Sequence, residues 1–336
     1  MKKKILVIDD SRFFRRVTAD ILSALPEILL LEAADGKAGL ALLEKESVDL
    51  VILDVEMPVL NGLDTLRLIK ARGLPLPVIM QSSLTRAGAE ITLQALELGA
   101  ADFIPKPVEG HDPMELRELL LEKVRAFLGL DEAREPRAYQ KRERRESRFD
   151  LLIIGSSTGG PQALQQIFQK LPGDFAVPIV VVQHMPPVFT RAFAERLNSV
   201  SALSVMEASD GQRLQSGEAY LAQGGFHLGL FGQAGDCQLK ISDAPPLHSH
   251  RPSIDFTVFD AISIYGGRIL GLIMTGMGRD GVDGMGMIYG AGGMTLAQDE
   301  STSVIYGMNR RAVEAGVIDE VVSLGEIPAQ LVKHSA

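Results

Sequence analysis

Residues 4–9, KILVID, form an unbroken apolar run that leads into the acid pair Asp9-Asp10. A strand without polar alternation is covered on both faces, which is the condition of a strand inside a parallel sheet. Ser11 follows in position to cap a helix whose apolar stripe would be Phe13, Phe14, Val17, Ile21 and Leu22. Further strands are expected at 28–34, 49–55, 76–82 and 101–106, separated by helical patterns at 36–46, 61–72 and 87–99 and followed by one at 113–128. Parallel strands need crossover connections, so five strands alternating with five helices predict a doubly wound α/β sheet. A second such pattern opens with DLLIIGS at 150–156. Its strands are expected at 177–183, 217–222, 226–232, 237–242, 267–276 and 292–298, and its helices at 160–171, 188–199, 253–265, 281–290 and 307–315. Between the two, residues 131–148 (DEAREPRAYQKRERRESR) are nearly devoid of apolar side chains. Such a stretch cannot offset its ordering entropy by burial and reads as an exposed linker, with a solvated helix as the alternative. The division predicted is 1–128, a linker at 129–148, and 149–336.

Composition agrees with two domains: 336 residues, 46% hydrophobic and 23% charged, are ample for two packed cores. The formal net charge of −9 argues against a nucleic-acid binder, whose affinity rests on a basic face. Cys237 is the sole cysteine, so neither an intrachain disulfide nor a thiolate zinc site is available. The apolar run Ile5–Ile8 is shorter than the roughly 7–15 residues of a secretory core, and no stretch approaches the ~18 needed to span a bilayer. A soluble, cytoplasmic chain with no membrane insertion is expected.

Asp9 and Asp10 end the first strand and Asp54 the third, so three carboxylates should share the rim where doubly wound sheets bind ligands. At about 4 Å and an effective dielectric near 20, each like-charged pair costs roughly 4 kcal/mol. An oxygen-only cluster of this kind suits Mg²⁺. Ser82 or Ser83 and Lys106 fall on the same rim, completing a set fit for a phosphoryl group. Singly, these residues could be a helix cap, a turn residue or a solvated cation. Together VIDDS (7–11), VILDVEMP (51–58), VIMQSS (78–83) and FIPKP (103–107) resemble the motifs of a two-component receiver domain over about residues 1–125. The resemblance implies a flavodoxin-like fold with Asp54 as phosphoacceptor. It implies Mg²⁺ held by Asp9, Asp10, Asp54 and the backbone carbonyl of Glu56. Ser82 would be the switch hydroxyl, Lys106 the phosphate partner, and Lys106–Pro107 a cis peptide bond. The family's aromatic switch is missing between Ile104 and Lys106, with Phe103 preceding.

In the second half, GSSTGG (155–160), Gln183-His184 and Asp280 within TGMGRDG (275–281) each follow an expected strand. If those strands are parallel, a hydroxyl, an imidazole and a carboxylate meet at one edge, the constellation for acyl transfer. Spacing leaves other readings open. GSSTGG could cradle a phosphate at a helix N-terminus. GMGRDG also matches a dinucleotide fingerprint, with Asp299-Glu300 about 20 residues on. His248 and His250 would share a strand face but lack a third zinc ligand. The segments GSSTGGPQAL (155–164), VQHMPPVFT (182–190), HRPSID (250–255) and MTGMGRDG (274–281) resemble those of the chemotaxis protein-glutamate methylesterases of the CheB type, over about 150–334.

That resemblance implies a Rossmann-like catalytic domain with Ser157 as nucleophile, His184 as base, Asp280 as orienting acid and the Met277 amide holding the oxyanion. Ser156 stands where alanine is more usual, so two adjacent hydroxyls compete. Thr158 and His250-Arg251 lie in matched segments without an assigned role. The implied activity is demethylation of glutamate methyl esters on methyl-accepting chemoreceptors, with deamidation of receptor glutamines by the same acyl chemistry. No cofactor is implied for the esterase reaction. A chemotaxis histidine kinase would phosphorylate Asp54, and the unphosphorylated receiver would cover the catalytic rim. The second reading is a phospho-regulated protein whose second domain binds a nucleotide or partner without hydrolysis.

Overall fold

The computed structural model describes residues 2–73, 75–106, 113–130 and 149–335, and they divide into two compact units. The linker reading for 131–148 and the Lys106–Pro107 bond lie outside the described residues.

The first unit alternates β1 (Lys3–Ile8), α1 (Arg12–Leu22), β2 (Ile28–Ala33), α2 (Gly36–Leu43), β3 (Leu50–Asp54), α3 (Gly62–Ala71), β4 (Val78–Ser82), α4 (Arg86–Glu97), β5 (Asp102–Pro105) and α5 (Pro113–Leu128). Its five-stranded sheet runs in the order β2-β1-β3-β4-β5 with every pairing parallel. The interior strands are fully buried between helical layers over Ile5–Ile8 and Leu50–Leu53, whereas the equally apolar run of β2 lies at the sheet edge and is only partly buried. α1 starts as expected, with the Ser11 hydroxyl accepting from the Phe14 amide. Its stripe is narrower than the sequence suggests: Ile21 and Leu22 are buried, but Phe13 is 67% exposed. Adjacent residues lie about 100° apart on a helix, so Phe13 and Phe14 cannot both face the sheet squarely.

The second unit contains β6 (Leu151–Ser156), α6 (Gly160–Phe168), β7 (Ile179–Gln183), α7 (Pro187–Val200), β8 (Ser204–Glu207), β9 (Glu218–Leu221), β10 (His227–Gln233), β11 (Asp236–Ser242), α8 (Ile254–Tyr265), β12 (Ile269–Ile273), α9 (Val282–Gly290), β13 (Met294–Gln298), α10 (Met308–Glu314), β14 (Glu320–Val322) and α11 (Ile327–Ser335). Seven of these strands form one parallel sheet in the order β14-β13-β12-β6-β7-β9-β8. The edge strands β8 and β14 were not legible in the sequence, being too short to carry a periodic signal. β10 and β11 leave the main sheet as an antiparallel hairpin, whose Leu228, Leu230 and Leu239 join the core formed by Val258 and Ala261 of α8. The run expected at 267–276 ends as a strand at Ile273, because Thr275 and Gly276 bond to Ile305 and turn toward the loop before α10.

Candidate active site

In the first unit β1 sits between β2 and β3, so crossovers depart to opposite sides at the β1–β3 boundary and leave a crevice at the strand ends. Asp9 and Asp54 reach into it from neighbouring strands, both almost fully buried, while Asp10 remains exposed. A carboxylate oxygen from each of the three lies within 4.8 Å of the others. Lys106 Nζ stands 2.7 Å from Asp54 Oδ2 and 3.2 Å from Asp9 Oδ2. Neither oxygen has a well-aligned hydrogen bond. Burial pushes the Asp54 carboxyl up to about 6, with the Asp9 charge adding to the effect, against the pull of Lys106. One ammonium cannot neutralise three carboxylates, and exposed Asp10 leaves an open side. The donor set therefore fits a hard, partly hydrated divalent cation. The Glu56 amide donates to Asp54 Oδ1 at 3.3 Å, which keeps its peptide beside the cluster. Ser82 is buried, and its hydroxyl donates to the Gly88 carbonyl of α4 at 3.2 Å. Sequence reasoning missed Phe14, whose ring lies 4.7 Å beneath Lys106 Nζ and helps fix that cation.

In the second unit the crossovers reverse at the β6–β12 boundary, and Ser157 and Asp280 follow those two strands while His184 follows β7. The ladders extend past the strand ends: Ser157 N donates to Thr275 O at 3.0 Å and His184 N to Ser156 O at 3.1 Å. Three chain segments distant in sequence are thereby locked in register. His184 Nε2 lies 2.7 Å from Asp280 Oδ2, and His184 Nδ1 is buried with no hydrogen-bond partner. The Ser157 hydroxyl makes no hydrogen bond among the described residues, so the His–Asp link is formed and the Ser–His link is not. Gly276 is required here, since a Cβ on it would lie 2.7 Å from Ser157 Cβ. The next amide, that of Met277, donates to no group among the described residues.

The structure separates the two candidate hydroxyls. Ser156 is fully buried and donates to Gln183 Oε1 at 2.6 Å, whereas Ser157 stays 9% exposed. The amide of Gln183 donates in turn to the Ser157 carbonyl at 2.9 Å, so Ser156 acts on its neighbour's backbone. Thr158 lies behind the loop, its carbonyl accepting from Thr275 Oγ1 at 2.9 Å.

Asp280 is wholly enclosed by the first turn of α8. Its carboxylate accepts from Ser253 Oγ at 2.7 Å, the Ile254 amide at 2.7 Å and the Asp255 amide at 3.3 Å. Burial alone would raise its pKa, but His184, Ser253 and the Ile254 amide outweigh burial and hold the carboxyl below the usual range. A helix N-terminus offers unpaired amides and the positive end of the dipole, here spent on a side chain of the same protein. The motif HRPSID supplies this cradle, and a serine ahead of an apolar helix was the available signal. His250 of the same motif stacks on His184 with centroids 3.8 Å apart.

One sequence expectation changes. His248 and His250 do not share a strand face. They flank Ser249 in a tight turn closed by Leu247 N to His250 O at 3.1 Å and the reverse bond at 3.0 Å, with positive φ at His248 and Ser249. The acidic residue of the dinucleotide fingerprint and the start of the helix that follows it are engaged within the protein. Asp299 accepts from Ser301, the Thr302 amide and the Thr302 hydroxyl, and the Gly284 amide in α9's first turn is taken by Asp255 at 2.7 Å.

One sheet carries a carboxylate–lysine rim and the other a serine, a histidine and an aspartate along one edge, the pairing expected of a response regulator with a hydrolase domain. Residues 5–120 match the response regulator receiver domain family, and residues 152–331 match the CheB methylesterase family. The chain is 44% identical to a protein-glutamate methylesterase/protein-glutamine glutaminase of Pyrococcus horikoshii, covering 99% of this chain and 93% of that protein. A Thermotoga maritima protein of the same description is 40% identical over 98% of each. The crystal structure of a Thermotoga maritima CheB methylesterase catalytic domain covers 56% of this chain and 99% of its own, with 42% identity and a TM-score of 0.54. The chain belongs to the CheB methylesterase family, in its receiver-bearing form. No described helix is long and apolar enough to cross a membrane.

Proposed function

We propose that the protein hydrolyses γ-methyl esters of glutamate in methyl-accepting chemoreceptors through Ser157, His184 and Asp280, with phosphorylation of Asp54 raising the rate. The observation that carries this reading is the 2.7 Å contact between His184 and an Asp280 bound by the α8 N-terminus, one strand away from an unbonded Ser157 hydroxyl. Asp280 stays ionised and fixes the ring with Nε2–H toward itself, so Nδ1 is the free acceptor. In the reaction, Nδ1 takes the Ser157 proton as Oγ bonds to the ester carbonyl carbon, and the Met277 amide meets the oxyanion. Collapse breaks the carbon–methoxy bond, and His184 returns the proton to methoxide as methanol departs. Water, deprotonated by the same nitrogen, then splits the acyl-serine to give glutamate and free Ser157. With glutamine the leaving group is ammonia and the remaining steps are the same. Apo serine–histidine contacts are commonly loose and tighten with substrate, which accommodates the unformed Ser157–His184 bond.

Mg²⁺ bound by Asp9, Asp10, Asp54 and the Glu56 carbonyl would supply charge neutralisation for the incoming phosphoryl group from a chemotaxis histidine kinase. Asp54 would attack phosphorus, and Lys106, 2.7 Å from its carboxylate, would pair with the new phosphate. Ser82 would leave the Gly88 carbonyl to meet it, remodelling the first turn of α4.

Methanol release from methylated receptor membranes is the test. Ser157→Ala should abolish it, while Ser156→Ala should keep it within about tenfold, the loss of one hydrogen bond worth around 1 kcal/mol. Turnover by Ser157→Ala at the wild-type rate would overturn the assignment. Asp54→Asn should retain basal release and lose its stimulation by acetyl phosphate.

A further inference from the structure

We propose that His248, Asp255 and Asp283 form a binding site for one first-row divalent ion of the zinc or manganese class, beside the N-terminus of α8 and separate from the ester-hydrolysing centre. His248 Nε2 lies 3.2 Å from Asp255 Oδ2 and 3.8 Å from Asp283 Oδ2, and one donor atom from each residue falls within 4.8 Å of the others. Donors bound at about 2.0–2.1 Å in a tetrahedron stand roughly 3.3 Å apart. The two histidine distances therefore need little change to close around an ion, and the exposed Asp283 can supply the rest by rotation.

The second observation is an orphaned oxygen. Asp255 is fully buried, its Oδ1 accepts the Gly284 amide at 2.7 Å, and its Oδ2 has no hydrogen bond. That oxygen is the one facing His248. Asp283 is similarly divided, with Oδ1 paired to Arg279 at 2.8 Å and Oδ2 turned to the histidine. The side chains of His248 and Asp283 are 28% and 48% exposed, so an ion with its remaining waters can enter.

Charge favours a cation. Asp255, Asp280 and Asp283 crowd the starts of α8 and α9, faced by Arg279, His184 and His248. Burial pushes the Asp255 carboxyl up to about 6, and the charges of Asp280 and Asp283 add to it. One imidazole with two carboxylates and no thiolate suits borderline first-row ions, whereas Mg²⁺ and Ca²⁺ prefer all-oxygen sites. The turn that carries His248 also carries His250, and its two left-handed residues send one imidazole toward Asp255 and the other onto His184. The competing arrangement is a plain His248–Asp255 ion pair with no bound metal.

The test uses the full chain, stripped with chelator and kept in saturating Mg²⁺ so that the receiver acids are occupied. Wild type, His248→Ala and Asp283→Asn are titrated with Zn²⁺ alone, reading bound metal per chain and thermal midpoint. Both substitutions are on exposed side chains, so folding is preserved. The expected result is one Zn²⁺ fewer per chain in each variant and a rise in midpoint of several degrees with Zn²⁺ in wild type only. Mn²⁺, followed by loss of its free EPR signal, should show the same difference in stoichiometry. Equal metal content and equal midpoints in all three proteins would overturn the proposal and leave the ion pair. Neither readout depends on esterase activity.

Discussion

The imidazole of His250 lies flat on that of His184, with centroids 3.8 Å apart and planes inclined by only 16°. Asp280 holds one edge of the His184 ring, and the stack restrains the ring's face. His250→Ala should lower kcat for methanol release about tenfold with little change in KM, in line with the roughly 0.5–1.5 kcal/mol of a stacked pair. His250→Phe, which restores a planar partner, should recover most of the rate. Unchanged kcat in the alanine variant would show that the Asp280 contact is sufficient alone.

Gly276 sits beneath the proposed nucleophile, where an added Cβ would come within 2.7 Å of Ser157 Cβ and 2.9 Å of the Met308 sulfur. Gly276→Ala should fold and lose at least about 100-fold in kcat, since displacements near 1 Å cost that much at a reacting centre. Circular dichroism and steady-state kinetics on the same sample would check both halves of this expectation.

Ser253 has two tasks, capping α8 by accepting from the Phe256 amide and donating to Asp280 Oδ1. Ser253→Ala should destabilise the second unit by about 2–4 kcal/mol in urea unfolding, the combined scale of a lost cap and a lost bond to a buried carboxylate. Ser253→Thr keeps the hydroxyl and should restore stability. A silent alanine variant would mean that the backbone amides carry the acid unaided.

Asp54 makes the first unit pH-dependent when Mg²⁺ is absent. Its folded pKa of about 6 stands above the ordinary 3.8, so the folded state holds the proton more tightly than the unfolded one. Stability from this group is complete below about pH 4 and is lost as pH rises through about 6. The loss at neutral pH is on the order of 3 kcal/mol, taking about 1.4 kcal/mol per tenfold change in proton affinity. In EDTA, Asp54→Asn should therefore be more stable than wild type at pH 7.5 and lose that advantage near pH 4. Mg²⁺ should narrow the gap at pH 7.5 by stabilising the ionised wild type. Parallel unfolding curves of the two proteins across this range would contradict the assignment.

Much of this was readable from short stretches of chain. Interior strands of a parallel sheet are apolar on both faces, so KILVID, VILD and LLII announced themselves without knowledge of their neighbours. In such sheets the carboxyl ends of strands share one rim, which is why Asp9, Asp54 and Lys106, and likewise His184 and Asp280, could be grouped from their positions alone. Edge strands β8 and β14 were invisible because four and three residues, half exposed, carry no periodicity.

Local chain chemistry thus set the interior strands of the two parallel sheets and the residue types at each rim. Tertiary packing decided the rest, because those contacts join positions the pattern cannot relate. The difference between Ser156 and Ser157 came from Gln183, 27 residues beyond Ser156, which engages one hydroxyl and leaves the other unbonded. The hold on Asp280 came from a helix start 26 residues earlier in the chain, whose amides face it only once β12 and α8 have packed. His248 and His250, two residues apart, were turned toward Asp255 and His184 respectively by a left-handed turn at His248 and Ser249, a conformation uncommon outside glycine that the surrounding fold imposes.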